Sequence, residues 1–176
     1  VALRADVDTA VTAEEASLAT LVHPSIHAAA ANNDIEDVKR HLARGVDINS
    51  DSEFRQLKGA TPLVSAAWRG HPETVRFLLD HGADATIRLS DGSNVLMAVA
   101  NPDPADGQPI DDWLTVAKLL LQRDADPKVT NQSGATFLHG LAFVAGDTDD
   151  KIEYYLQLTE MLIDAGAEVN AQLNAA

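Results

Sequence analysis

The chain has 176 residues, 45% of them hydrophobic but only 5% aromatic, and no cysteine. Such a composition can bury one domain or one short repeat array with aliphatic packing, and it excludes disulfides and thiolate metal sites. The formal charge of −14 disfavours nucleic acid and anionic membrane surfaces as partners, no apolar run reaches membrane-spanning length, and no signal-peptide pattern is visible.

Residues 1 to 11 are acidic and unpatterned and read as a loose arm. Thr12 and Glu15 have the spacing of a capping box, which starts a short helix from about Ala13 to Leu21. Leu18, Leu21 and Val22 are available for that helix to bury. Residues 1–22 are therefore expected to be an arm with a capping helix, or a linker helix from a larger protein, ahead of a domain over residues 23–176. From Pro24 to about Ser52, Ile26, Ala29 and Ala30 fall at i, i+3, i+4, and Val38 and Leu42 mark a second helix that ends at Gly45.

Residues Gly59 to Ala85 form the clearest unit. Thr61 is placed as an N-cap and Pro62 as the first helical residue, where its missing N–H costs nothing. Leu63, Ala66 and Ala67 make one apolar stripe. Gly70 breaks the run, Pro72 opens a second helix with Val75, Leu78 and Leu79 inward, and Gly82 takes the left-handed C′ position. The product is a helix, a tight turn, an antiparallel helix and a turn out.

Two further units follow, over residues 92–130 and 134–172. Their landmarks are Leu96 and Leu138 in the first helix, with Asp124 and Gly166 at C′; Asp tolerates the left-handed region better than most residues. The leucine-type positions Ile26, Leu63, Leu96 and Leu138 are spaced by 37, 33 and 42 residues, and the C′ positions by 37, 42 and 42, so the first unit carries four extra residues. About nine extra residues therefore lie between the two helices of each of the last two units, judged against a period of about 33. In the third, NPDPADGQP from Asn101 to Pro109 is a turn-rich loop, followed by a helix burying Trp113, Val116, Ala117, Leu120 and Leu121. In the fourth, Gly146 to Asp150 leads into a long helix on which Ile152, Tyr155, Leu156, Thr159, Leu162 and Ile163 hold helical period.

The stretch from Gly59 to Asp84 resembles the ankyrin repeat, whose pattern G-x-T-P-L-x-x-A-A-x-x-G-H, V-x-x-L-L, G-A-D it matches at fourteen positions. The resemblance implies an all-α solenoid of stacked helix-turn-helix units with short hairpin-like fingers, in four repeats (about 24–52, 59–91, 92–130 and 134–172). The first departs from the pattern: Pro24-Ser25 replaces Thr-Pro, Asn33-Asp34 replaces Gly-His, and Arg40 and His41 stand where apolar residues are usual. Ala167 to Asn170 matches the close of a repeat without a polar capping repeat after it. With a start at Val1 rather than at an initiator methionine, this leaves open a processed or trimmed chain, continued or covered by a partner.

No catalytic constellation is legible. His23 and His27 are four apart, but His27 and His139 follow the leucine-type position, which in this family is structural, as is His71. Asp147, Asp149 and Asp150 crowd one loop without the calcium-loop pattern. No nucleophile elbow, phosphate loop or dinucleotide fingerprint occurs. The expectation is a monomeric, non-enzymatic module without metal or cofactor, cytoplasmic or exported, that binds another protein. The alternative is a regulatory segment packed against its own neighbouring domain.

The resemblance places partner contacts on the fingers and inner helices. Phe54, Arg55, Leu57 and Lys58 lie on the first finger, and Arg88 and Leu89 on the second. Trp68 and Arg69 end an inner helix, and Phe143 is the equivalent of Trp68 two repeats on. Together they would form a groove with an apolar centre and a cationic rim. The acids Asp103, Asp106, Asp111, Asp112, Asp147, Asp149 and Asp150 would share a shelf at the opposite end, a solubility feature or a secondary contact.

Overall fold

The computed structural model describes residues 20–52, 59–100, 102–103, 107–142 and 149–169. The described residues form four successive helix pairs and no named strand. The pairs are α1 (Ile26–Ala31) with α2 (Ile35–Ala43), α3 (Pro62–Trp68) with α4 (Pro72–Asp80), a 3-10 helix (Val95–Val99) with α5 (Asp111–Leu121), and α6 (Phe137–Ala142) with α7 (Asp149–Asp164). Fingers join one pair to the next. Isolated antiparallel bridges between Arg88 and Asn94 and between Thr130 and Thr136 close two of them.

Local chemistry explains each start and stop. Thr61 is extended and its hydroxyl accepts the Val64 N–H, with Pro62 opening α3. Ser25 does the same for Ala28, so the Pro24-Ser25 departure keeps a working cap. Asn33 stands where Gly70 stands one repeat later, and both are left-handed, at φ 56° and 66°. Asp124 takes the left-handed C′ position at φ 67°, as its place in the pattern predicts.

The inner element of the third pair departs from expectation, being 3-10 rather than α. It lacks the Thr-Pro start, and Asn94 caps it by accepting the N–H only two residues on, from Leu96, which favours the tighter winding. The long connection of this pair does fall between its two elements, from Ala100 to Ile110.

One continuous core runs through all four pairs, built from alanines and aliphatic residues with Trp113, Phe137 and Tyr154 added. Neighbouring pairs are also stitched by hydrogen bonds. The His71 ring donates from Nε2 to Ala31 O (3.1 Å), and Thr74 Oγ1 donates to Asn33 Oδ1 (2.6 Å). Gln132 N donates to Asp91 O (2.7 Å) from one finger to the one before, while Asn94 Nδ2 donates to Asp126 O (2.8 Å) within the third repeat. The Tyr154 hydroxyl donates to Val99 O. His27 Nε2 donates to Ser50 O in the finger that follows its repeat, and His139 Nδ1 accepts the Thr136 N–H three residues before it.

On α7 the inward residues are Tyr154, Leu158 and Leu162, while Ile152, Leu156 and Ile163 face outward, 52%, 57% and 43% exposed. The helix is apolar over more than half its circumference, and the core takes the stripe that includes the two large residues Tyr154 and Leu158. Val22, expected to be buried, is 67% exposed; it is held by its backbone rather than its side chain. The helix expected from Ala13 lies outside the described residues apart from Thr20 and Leu21, which are not helical.

Candidate partner-binding surface

Helix α3 buries Pro62, Leu63, Val64, Ala66 and Ala67, and then turns one large ring outward: Trp68 is 51% exposed. Four of the first five positions pack inward, so the helix cannot rotate to hide the indole without exposing the Leu63–Ala66–Ala67 stripe. The Trp68 backbone is fixed independently, because its carbonyl accepts the Trp113 indole N–H at 3.2 Å. The Trp113 ring is buried beneath Gly70, in the turn just beyond.

Arg69 caps α3 and is exposed beside Trp68. It borders a cleft of about 180 Å³ with Ala31, Asn32, His71, Asp103, Gln108 and Trp113. The long third-repeat connection makes one wall: Gln108 Nε2 donates to Gly70 O and to Asp112 Oδ2. Burial depresses the His71 imidazole, against a smaller upward pull from its bond to Ala31, so the ring is neutral. With Nε2 donating to Ala31 O, Nδ1 is a buried acceptor without a protein donor. Asp103, one of the acids expected on the shelf, stands at the rim of this cleft.

The second finger holds the other described candidates. Arg88 is exposed, but its guanidinium donates to Gly92 O (2.8 Å) and Thr130 O (3.4 Å), which staples two fingers together. Leu89 is half-buried against the core. The Gly59 backbone packs on Leu89 and Ser90 so closely that a Cβ there would lie 3.0 Å from Leu89 Cα. The base of the first finger is thus against the second. Phe54, Arg55, Leu57 and Lys58 on that finger, and Phe143, lie outside the described residues.

The four described candidates stand in two places. Arg88 and Leu89 sit at the finger end, whereas Trp68 and Arg69 sit at the turn end, one helix length of roughly 10 Å away. Sequence reasoning missed Gln108 and His71 as neighbours of Arg69. Their only signal was the position of the third-repeat insertion, on the same end of the helices as Gly70.

A second polar cluster fastens the first repeat. Asp37 is fully buried, and its carboxylate accepts the backbone N–H groups of Val22 (3.0 Å) and His23 (2.7 Å). Arg40 lies 3.3 Å from the same carboxylate, and buried His41 donates from Nε2 to His23 O. Burial pushes the Asp37 carboxyl up, but the two amides, with Arg40 and His41, outweigh it and hold it below its usual range. His41, unexpected at an apolar position, is therefore part of a clamp. His23, Asp34 and Asp37 bring ligand-type atoms within 4.8 Å of one another. As a cation site the trio is poor, since Asp37 is already saturated by donors and Arg40 adds positive charge. No helix among the described residues is long and apolar enough to cross a membrane.

Residues 26–104 match the family model for ankyrin repeats in three copies. The chain is similar to the human DNA-binding protein RFXANK, 40% identical over 78 residues, which is 44% of this chain and 29% of that protein. It is also similar to the mouse ankyrin repeat, SAM and basic leucine zipper domain-containing protein 1, 40% identical over 99 residues, covering 56% of this chain and 19% of that one. A third relative is the Arabidopsis thaliana E3 ubiquitin-protein ligase KEG, 33% identical over 112 residues, 64% of this chain and 6% of the ligase. Each aligned stretch spans less than a third of the relative's length.

Proposed function

Residues 26–104 place the chain in the ankyrin-repeat family, and from that premise we propose a protein-interaction module that receives another protein across Trp68 and Arg69, with the adjoining fingers as its second contact. The observation that carries this reading is the outward Trp68 ring, 51% exposed on a helix whose other apolar residues are buried. Trp and Arg are enriched among residues that dominate binding energy. Arg88 and Leu89 extend the contact at the finger end, and Phe54, Arg55, Leu57, Lys58 and Phe143 are its remaining candidates.

The chemistry of the module is binding rather than catalysis. Its similarity to a ubiquitin ligase covers only 6% of that protein, which brings no ligase activity with it. One relative is named a DNA-binding protein. In this chain a net charge of −14 opposes direct contact with phosphates, so the partner surface is assigned to protein.

The relatives are several times longer than the stretches they share with this chain, which supports a second reading: an accessory ankyrin segment packed against a domain of the same polypeptide. A further domain in the full-length gene product that shields Trp68 would favour it.

The test is capture of partners by the intact chain and by Trp68→Ala, compared by quantitative mass spectrometry after both are shown to fold. A partner held through Trp68 should lose about 2 kcal/mol of affinity in the variant. Arg55→Glu should slow its association and flatten the salt dependence. Capture unchanged by both substitutions refutes the proposed surface.

A further inference from the structure

Helix α7 carries an apolar column that the stack does not use. Ile152, Leu156 and Ile163 are 52%, 57% and 43% exposed, and half-buried Thr159 lies between them. Their spacing of four, three and four residues puts them on one line along the helix, the spacing of a two-helix seam. The column is about 16 Å long at the rise of an α-helix. It stands apart from the inward stripe of Tyr154, Leu158 and Leu162, so no rotation of α7 could bury both.

The border of this column is acidic. Glu153, Glu160 and Asp164 are exposed and fall on the side of the column away from the core. Glu153 is partly engaged by Gln157, whose Nε2 donates to it at 2.8 Å. Glu160 and Asp164 have no such neighbour on α7 in the hydrogen bonds and ion pairs of the described residues. An apolar line with a one-sided acidic edge is the counterpart of a helix with aliphatic residues at a and d and Lys or Arg on its flank.

We propose that α7 docks an amphipathic helix of another protein, with an apolar seam of about three turns and a basic flank that meets Glu160 and Asp164. A second copy of this chain fits worse. Pairing two α7 helices would set the acidic edges of two chains, each with a net charge of −14, beside one another, and like charges in register destabilise such a pair. The surface is separate from Trp68, which lies on an inner helix two repeats earlier, so it stands or falls independently of that reading.

The experiment uses the intact chain and a fluorescein-labelled synthetic helix of about three heptads, with leucine at a and d and lysine on the flank. A control peptide carries glutamate in place of lysine. Fluorescence anisotropy should show binding of the lysine peptide, weakened by added salt, with the glutamate peptide at least tenfold weaker. Leu156→Glu should reduce lysine-peptide affinity by about tenfold or more, since it puts a charge in the centre of the seam. Glu160→Lys should narrow the preference between the two peptides, and Trp68→Ala should leave both affinities unchanged. Leu156 and Glu160 are exposed, so circular dichroism should show both variants folded. Equal binding of the two peptides, or no binding of either, overturns the proposal. So does sedimentation of the unmodified chain as a dimer that Leu156→Glu dissociates, which would assign the face to a second copy.

Discussion

The ring of Trp113 lies so close under Gly70 that a Cβ at position 70 would come within 2.5 Å of two ring carbons. Gly70 also sits at φ 66°, a left-handed conformation that costs other residues energy. Gly70→Ala should therefore lose about 3 kcal/mol, combining backbone strain with a clash that a buried indole cannot relieve. Gly82→Ala is the control. Its φ is 94° but nothing lies within 4 Å of the added methyl, so it should lose only about 1 kcal/mol. Urea unfolding midpoints of the two variants separate crowding from strain.

The Asp37 clamp makes a prediction about the first repeat. Asp37→Ala leaves the Val22 and His23 N–H groups and Arg40 without their acceptor, at a cost of about 2 kcal/mol. Amide exchange at Val22 and His23 should accelerate in the variant. The folded carboxyl titrates below the unfolded one. Its contribution is therefore complete above the ordinary aspartate range near pH 4 and is lost as pH falls through the depressed folded value. The stability gap between the intact chain and the variant should close in that acidic window.

His71 predicts a second pH dependence at higher pH. Burial depresses its folded-state value, so the unfolded chain binds a proton first as pH falls through about 6.5. Stability is full above that value and declines below it. Unfolding midpoints measured at about pH 7.5 and 5.5 should fall toward acid, and His71→Asn should flatten the slope. An unchanged slope would mean that the ring stays solvated in solution.

Tyr154 tests the joint between the third and fourth repeats. The residue is buried, and its hydroxyl is held by Val99 O across that joint. Burial, with Tyr155 adding to it, pushes the phenol well above the ordinary tyrosine range. Tyr154→Phe keeps the packing but leaves a buried carbonyl unsatisfied, which should cost about 1–2 kcal/mol. Differential scanning calorimetry should show a lower Tm with an unchanged helical spectrum.

Much of this architecture was legible because the repeat signals are local. Thr61-Pro62, Gly82 and Asp124 are set by capping and by φ, which need no knowledge of distant residues. The face of α7 was not legible. Ile152-Leu156-Ile163 and Tyr154-Leu158-Leu162 both hold helical period, and only the position of α5 decides which stripe is covered. Trp113 was expected to be buried, but its partner Gly70 is remote in sequence and joined to it by a loop of irregular length. For the candidate surface, the sequence marked Trp68 by residue type. It could not show that Arg88 is occupied in stapling fingers, or that Trp68 and the fingers stand at opposite ends of one helix.

The hook formed by the third-repeat connection alters how the stack should come apart. In a simple solenoid each unit touches its neighbours along similar interfaces, so the array can open at any joint. Here Gln108 and Trp113 reach back to the backbone of Gly70 and Trp68, beyond the shared core. Repeats two and three are latched by an extra arm that the joint between repeats one and two does not have in this form. Under a pulling force the array should shed its ends before that latch yields, and the exposed Trp68 surface would be among the last parts to lose its shape.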